Sequence, residues 1–180
     1  ISVPFTVFSG LGLYSAILIP KNRENAMLVV KTCVTVTLYF SILALVIVLL
    51  FRSQITRLLG FSEIYDWLLL IPITIFFSGI GNAMLIFFNR ESRYKAISVC
   101  RILSGIVTVI LSILIGILKP GPFGLIISLI AGQVFSAIYL VVMTPRTDRH
   151  VLKPASWETI HAQIVEHRNF PLYTLPADFL

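Results

Sequence analysis

Few residues in this sequence could do chemistry, and most of those are cations. Residues 89–101 (NRESRYKAISVCR) hold Arg90, Arg93, Lys95 and Arg101 against a single acid, Glu91, and Lys31 closes an earlier basic stretch that begins at Lys21. A second group is polar but uncharged: Thr74, Ser78 and Asn82 recur every four residues, beside Pro72, Gly79 and Gly81. Positions four apart share one helix face, so these three form a polar strip, which either faces a wet cavity or bonds to neighbouring helices. No catalytic constellation accompanies these groups. His150, His161 and His167 stand in a polar tail at spacings that form no metal cluster, and Asp148, Glu158 and Glu166 read as surface acids. There is no glycine-rich phosphate loop of the Walker kind, so no ATPase is expected in this stretch. Cys33 and Cys100 lack a CxxC partner and are expected to be buried free thiols. No cofactor and no metal are implied, and the chain is not expected to be an enzyme.

The elements that position these residues follow from charge contrast. One charged side chain at the centre of a membrane helix costs roughly 2.5–3.5 kcal/mol, so residues 89–101 belong in water. The runs beside them, 67–88 and 102–118, contain no Asp, Glu, Lys, Arg or His. The whole chain of 180 residues is 57% hydrophobic and 12% charged, half of the roughly 25% charged residues of ordinary soluble domains. These features predict an all-α, polytopic transmembrane helix bundle. A net charge of +6 does not indicate a nucleic-acid partner, because the bases sit in short loops between apolar runs. Five spans are expected, at residues 1–19, 32–51, 67–88, 96–118 and 123–143, each close to the ~20 residues that cross the bilayer's hydrocarbon. Residues 144–169 read as a polar linker with a short amphipathic helix around Trp157, Ile160 and Ile164. Residues 170–180 turn apolar again and are expected to lead into another span. The chain begins at Ile1 and is expected to be an internal piece of a longer protein, with no visible signal peptide.

Counting Lys and Arg loop by loop places eleven on one side of the membrane and three on the other. The positive-inside rule assigns the richer side, which holds Arg90, Arg93 and Lys31, to the cytoplasm. Two spans also carry stripes of small residues: Ser104, Thr108, Ser112 and Gly116, then Gly124, Ser128, Gly132 and Ser136. Lipid supplies no hydrophobic drive between helices, and close approach over small residues is what holds them together. The turn Lys119-Pro120-Gly121-Pro122 makes these spans antiparallel neighbours, so the stripes are expected to pack against each other or against a third helix. Pro72 is placed to kink its helix. Gln133, polar but isolated, is expected to serve packing. The five spans contain neither an acid nor a histidine, so no ion-coupling carboxylate is visible in them.

Three stretches resemble a known family. FFNRESRYKAISVCRILSGIVTVILSILIG is similar to a span–loop–span of the bacterial polysaccharide-biosynthesis flippases, which export lipid-linked oligosaccharides for O-antigen and capsule. LYSAILIPKNRENA and HRNFPLYTLPADFL resemble two further segments of that family, in the same order along the chain. The linker departs from the pattern, with histidines and few consecutive basic residues. The resemblance implies the first-lobe part of a two-lobed exporter fold, within the superfamily of multidrug, oligosaccharidyl-lipid and polysaccharide exporters. It implies an undecaprenyl-diphosphate-linked oligosaccharide as substrate, moved across the bacterial inner membrane by alternating access. Arg101, Arg90, Arg93 and Lys31 would then meet the diphosphate and Asn82 the sugars, although each of these cations also serves to fix topology. The partners implied are that lipid-linked substrate and the bilayer; oligomeric state and the glycan are not read from the residues. Two alternatives stand beside this: a drug or cation exporter of the same superfamily, and a membrane-embedded glycan-processing enzyme.

Overall fold

The computed structural model describes residues 15–18, 22–59, 68–118 and 122–145. After a short 3-10 turn at Ser15–Leu18 come four helices, α1 (Arg23–Leu59), α2 (Leu70–Arg90), α3 (Tyr94–Leu118) and α4 (Pro122–Met143). No strand occurs among the described residues. Each helix contains a stretch long and apolar enough to cross a membrane: Arg23–Phe51, Leu70–Arg90, Tyr94–Leu118 and Gly124–Met143. The chain is thus an all-α bundle of membrane-length helices. The expected span at residues 1–19 lies outside the described residues apart from the 3-10 turn, as do the linker and apolar restart beyond residue 145.

The first helix runs past both ends of its uncharged stretch. Its 37 residues reach ~55 Å at 1.5 Å per residue, against ~30 Å of hydrocarbon. The overhangs are helical because their residues are good helix formers, Arg, Glu, Gln and Leu among them, and Glu24 in the first turn suits the helix dipole. Residues 52–59 therefore continue α1 beyond the expected span at 32–51. In α2, Pro72 is the third residue. Its missing N–H falls where no intrahelical partner exists, and there is no upstream turn for it to kink. Its carbonyl instead accepts a hydrogen bond from Ser41 Oγ at 2.8 Å, tying the start of α2 to the middle of α1.

The turn between α2 and α3 is held by its own backbone. Ser92 takes a left-handed conformation, φ 56°, and its N–H bonds to the Asn89 carbonyl at 3.0 Å while that of Arg93 bonds to the Phe88 carbonyl at 2.9 Å. That pair of bonds is the Schellman closure of a helix C-terminus. The side-chain contact that accompanies such closures joins these same two residues, with the Arg93 guanidinium 5.6 Å from the Phe88 ring centre. The carbonyl of Arg93 then accepts from the N–H groups of Ala96 and Ile97, at 3.1 and 3.3 Å, which starts α3. The reversal joins α2 to α3 with almost no intervening chain, yet the two helices touch little along their lengths: α2 packs on α1 and α4, and α3 packs on α4.

The small-residue stripes meet as a ladder between α3 and α4, the most extensive helix pair of the bundle. Cys100 Sγ lies 3.2 Å from Ser136 Oγ. One turn further along α3, a Cβ built on Gly132 would strike Thr108 Oγ1 and sit 3.3 Å from the Ser104 carbonyl oxygen. Near the turn, a Cβ on Gly124 would come within 3.3 Å of the Gly116 backbone nitrogen. Each step toward the turn on α3 is matched by a step back on α4, as antiparallel helices with four-residue stripes require. A third close approach joins α1 to α2, where Gly79 faces Thr37, a threonine buried completely.

The buried core lies toward one end. Val29, Val30, Cys33, Ala83, Met84, Phe87, Phe88, Cys100 and Leu140 pack into one cluster. Toward the other end the helices present large apolar side chains outward, such as Leu50, Ile117 and Leu118, which are 69%, 77% and 79% exposed. In water that surface would be a liability; against lipid tails it is the ordinary outer face of a span.

Candidate functional site

The end nearest the core is also the basic end. It gathers the start of α1, the close of α2, the start of α3 and the close of α4. The last of these is tied in by Thr144, whose Oγ1 lies 3.9 Å from Met84 Sδ. At its centre is Glu91. Arg23 Nε donates to Glu91 Oε1 at 3.2 Å, and Arg90 Nη1 stands 3.9 Å from the same oxygen. Arg90 Nη2 also donates to the Asn22 carbonyl at 3.3 Å. Sixty-eight residues of sequence separate the partners of the Arg23–Glu91 bond. One carboxylate thus holds two guanidiniums together, one from each of two helix ends.

The exposures of the three differ in a way that matters. The side chains of Glu91 and Arg90 are 17% and 15% exposed, whereas that of Arg23 is 47% exposed. Arg90 is fixed by the protein on two sides, and Arg23 reaches the carboxylate from the water. Arg93 is held over Phe88 within the helix-closing turn. The arrangement is therefore a compact cationic patch with one built-in anion among the described residues, on backbone that the Schellman closure makes rigid.

Of the residues singled out from the sequence, the structure brings Arg90 and Arg93 together around this turn. Lys31 is half-buried on α1, eight residues beyond Arg23. Its carbonyl accepts from Thr35 Oγ1 at 2.8 Å. Asn82 is half-buried on α2, about two turns before Arg90. Arg101 stands apart. It is exposed on α3, about 10 Å along the helix from Tyr94. It shares its face with the exposed residues Tyr94, Ser98 and Ile102, and no bond ties it to Glu91 among the described residues.

The hydroxyls of the polar strip bond within their own helix. Thr74 Oγ1 donates to the Leu70 carbonyl at 2.8 Å and Ser78 Oγ to the Ile75 carbonyl at 3.2 Å, a common way for such residues to be satisfied in a helix. The cavity between α1, α2 and α4, about 330 Å³, is lined by Val34, Leu38, Phe76, Phe77, Ile80 and Ala137 among others, and not by the strip. It is a greasy space. In α4, Gln133 Oε1 is buried with no hydrogen-bond donor among the described residues.

Sequence reasoning missed Arg23 and the role of Glu91. The stretch KNREN was visible as a loop, but nothing local says that its arginine meets an acid in the next basic loop. A signal existed all the same. Glu91 is the only acid in a segment with four bases, and the loops at residues 21–31 and 89–101 lie on the same side by the charge count.

No match was found among curated proteins or solved structures. One family matches across most of the chain, residues 3–161, and it is described as polysaccharide biosynthesis protein. With membrane-length helices, small-residue contacts between them and basic loops gathered at one end, the chain belongs to the polysaccharide biosynthesis protein family.

Proposed function

We propose that this chain is part of a transporter that flips an undecaprenyl-diphosphate-linked oligosaccharide across the bacterial inner membrane, for O-antigen, capsule or exopolysaccharide synthesis. The observation that carries the reading is the cationic patch at the basic end of a membrane bundle whose family works in polysaccharide biosynthesis. A diphosphate with attached sugars cannot enter hydrocarbon unaided, since a charge in the bilayer centre costs several kcal/mol or more. A path for it needs guanidinium or ammonium groups at its mouth, and guanidinium forks match phosphate oxygens two at a time. The polyprenyl tail needs no protein path, because it stays in lipid. On this reading the basic end faces the cytoplasm, in line with the positive-inside count. Arg90 and Arg93 receive the diphosphate, Lys31 and Arg101 extend the cationic path, and Asn82 meets the sugars. Alternating access of the two lobes then exposes the site to the periplasmic side. The chain's own chemistry is recognition and release, with no covalent step.

The test is a flipping assay in proteoliposomes with a fluorescent undecaprenyl-diphosphate oligosaccharide, comparing the wild-type protein with Arg90→Gln and Arg101→Gln at equal reconstitution. The reading predicts that both variants flip at least about tenfold more slowly, the loss of roughly one charge-assisted bond. Undiminished flipping by Arg101→Gln removes that residue from the path. Absence of flipping by the wild-type protein rejects the function.

A further inference from the structure

We propose that Glu91 is a displaceable counter-anion: a resident carboxylate that holds Arg23 and Arg90 until a diphosphate takes its place. This inference rests on the reading of the substrate given above and assigns a new role within that site.

Three observations carry it. The first is geometry. Both guanidiniums converge on a single oxygen, Oε1, with Arg23 at hydrogen-bond distance and Arg90 at 3.9 Å, beyond it. The Glu91–Arg90 contact is therefore an electrostatic one without a formed hydrogen bond, and the carboxylate makes less of the two cations than a larger anion would. The second is exposure. Arg23 approaches from solvent, 47% exposed, and exposed pairs of this kind hold weakly because water and salt screen them. The third is support. Arg90 keeps a second anchor on the Asn22 carbonyl, and the turn that carries Glu91 is closed by backbone bonds from Ser92 and Arg93. Arg90 therefore stays in place when the carboxylate leaves.

A diphosphate has the properties that this arrangement selects. It carries more negative charge than a carboxylate and spreads it over several oxygens, enough for both forks at once. A neutral glycan or a lipid tail has nothing to offer the two arginines and leaves Glu91 where it is. The resident carboxylate therefore acts as a threshold. It offsets part of the patch's charge in the empty protein, and it gives way to a strongly anionic head and resists a weakly charged one.

The test measures the affinity of the full-length protein in nanodiscs for farnesyl diphosphate, with farnesyl monophosphate as the comparison. Glu91→Gln removes the competing charge and keeps the side-chain shape. The proposal predicts that this variant binds farnesyl diphosphate about two to fivefold more tightly, the size expected for losing one partly exposed competitor, and that its preference for diphosphate over monophosphate shrinks. Glu91→Asp, which shortens the side chain and preserves folding more safely, is predicted to shift both quantities the same way by a smaller factor. Unchanged or weaker binding in both variants, while Arg90→Gln weakens binding, overturns the inference and leaves the substrate reading standing. Binding that is absent in the wild-type protein, or indifferent to Arg90→Gln, overturns the substrate reading and this inference with it.

Discussion

Gly132→Ala adds one methyl group to α4 and is predicted to be among the costliest small changes in the bundle. The new Cβ would strike Thr108 Oγ1 and lie 3.3 Å from the Ser104 carbonyl oxygen and 3.4 Å from Thr108 Cβ. Thr108 cannot step aside freely. It is β-branched, and its Oγ1 donates to the Ser104 carbonyl at 2.9 Å. Turning it breaks that bond, at about 0.5–1.5 kcal/mol. Keeping it means that α3 and α4 must separate, which loses close contacts along the whole ladder. Overpacking of this kind costs about 1–3 kcal/mol, and the better helix propensity of alanine returns about 0.5–1 kcal/mol, leaving a net loss of up to about 2.5 kcal/mol, which is about 1–3 kcal/mol worse than the same change at an open site. Gly105→Ala on α3 is the matched control, because nothing lies within 4 Å of the added Cβ. It should be neutral or stabilising by about 0.5–1 kcal/mol. The assay is reversible unfolding of the purified protein in mixed micelles. Thr108→Ala in the Gly132→Ala background should recover at least about 1 kcal/mol, a coupling that contacting residues show and distant ones do not. The ladder is refuted if Gly132→Ala behaves like Gly105→Ala, or if the double variant is additive.

Three further substitutions have expected outcomes, each read by the same unfolding assay. Gly79→Ala pushes a methyl into the completely buried Thr37 and should cost about 1–3 kcal/mol before the helix propensity of alanine returns about 0.5–1 kcal/mol; a gain like that of Gly105→Ala would mean that α1 and α2 are further apart. Ser92→Gly relieves the left-handed backbone at φ 56° and should stabilise by about 0.5–1 kcal/mol, whereas a loss would show that the serine side chain holds the turn. Gln133→Leu removes a buried oxygen that has no donor among the described residues and should gain about 1 kcal/mol; a clear loss would reveal a hydrogen-bond partner contributed by another part of the protein.

Much of the bundle was legible because membrane spans leave a plain record in charge and in four-residue spacing. The two stripes marked α3 and α4 as packing helices but left open whether they met each other or a third helix; the structure brings them onto each other. The extent of α1 was not legible, because Arg52 and the residues after it look like a loop in composition while being compatible with a continuing helix at the membrane edge. Pro72 misled in a similar way: its effect depends on where the helix begins, and it begins only two residues earlier. The candidate site was half legible. Arg90 and Arg93 stood out as a cluster, but Arg23 reaches Glu91 across 68 residues, and only the packing of α1 against α2 brings them together. The hydroxyls of Thr74 and Ser78 could be placed on one face, yet spacing does not say whether a hydroxyl bonds outward or back to its own helix.

The central claim is that four membrane-length helices put the arginine patch on the cytoplasmic side. The direct test is labelling of intact cells by a membrane-impermeant maleimide, in a version with Cys33 and Cys100 replaced by serine. Lys95→Cys, next to the patch, is predicted to stay unlabelled until the cells are opened, and Leu118→Cys, at the far end of the same helix, to label from outside. Labelling of position 95 but not of position 118 in intact cells would contradict the account.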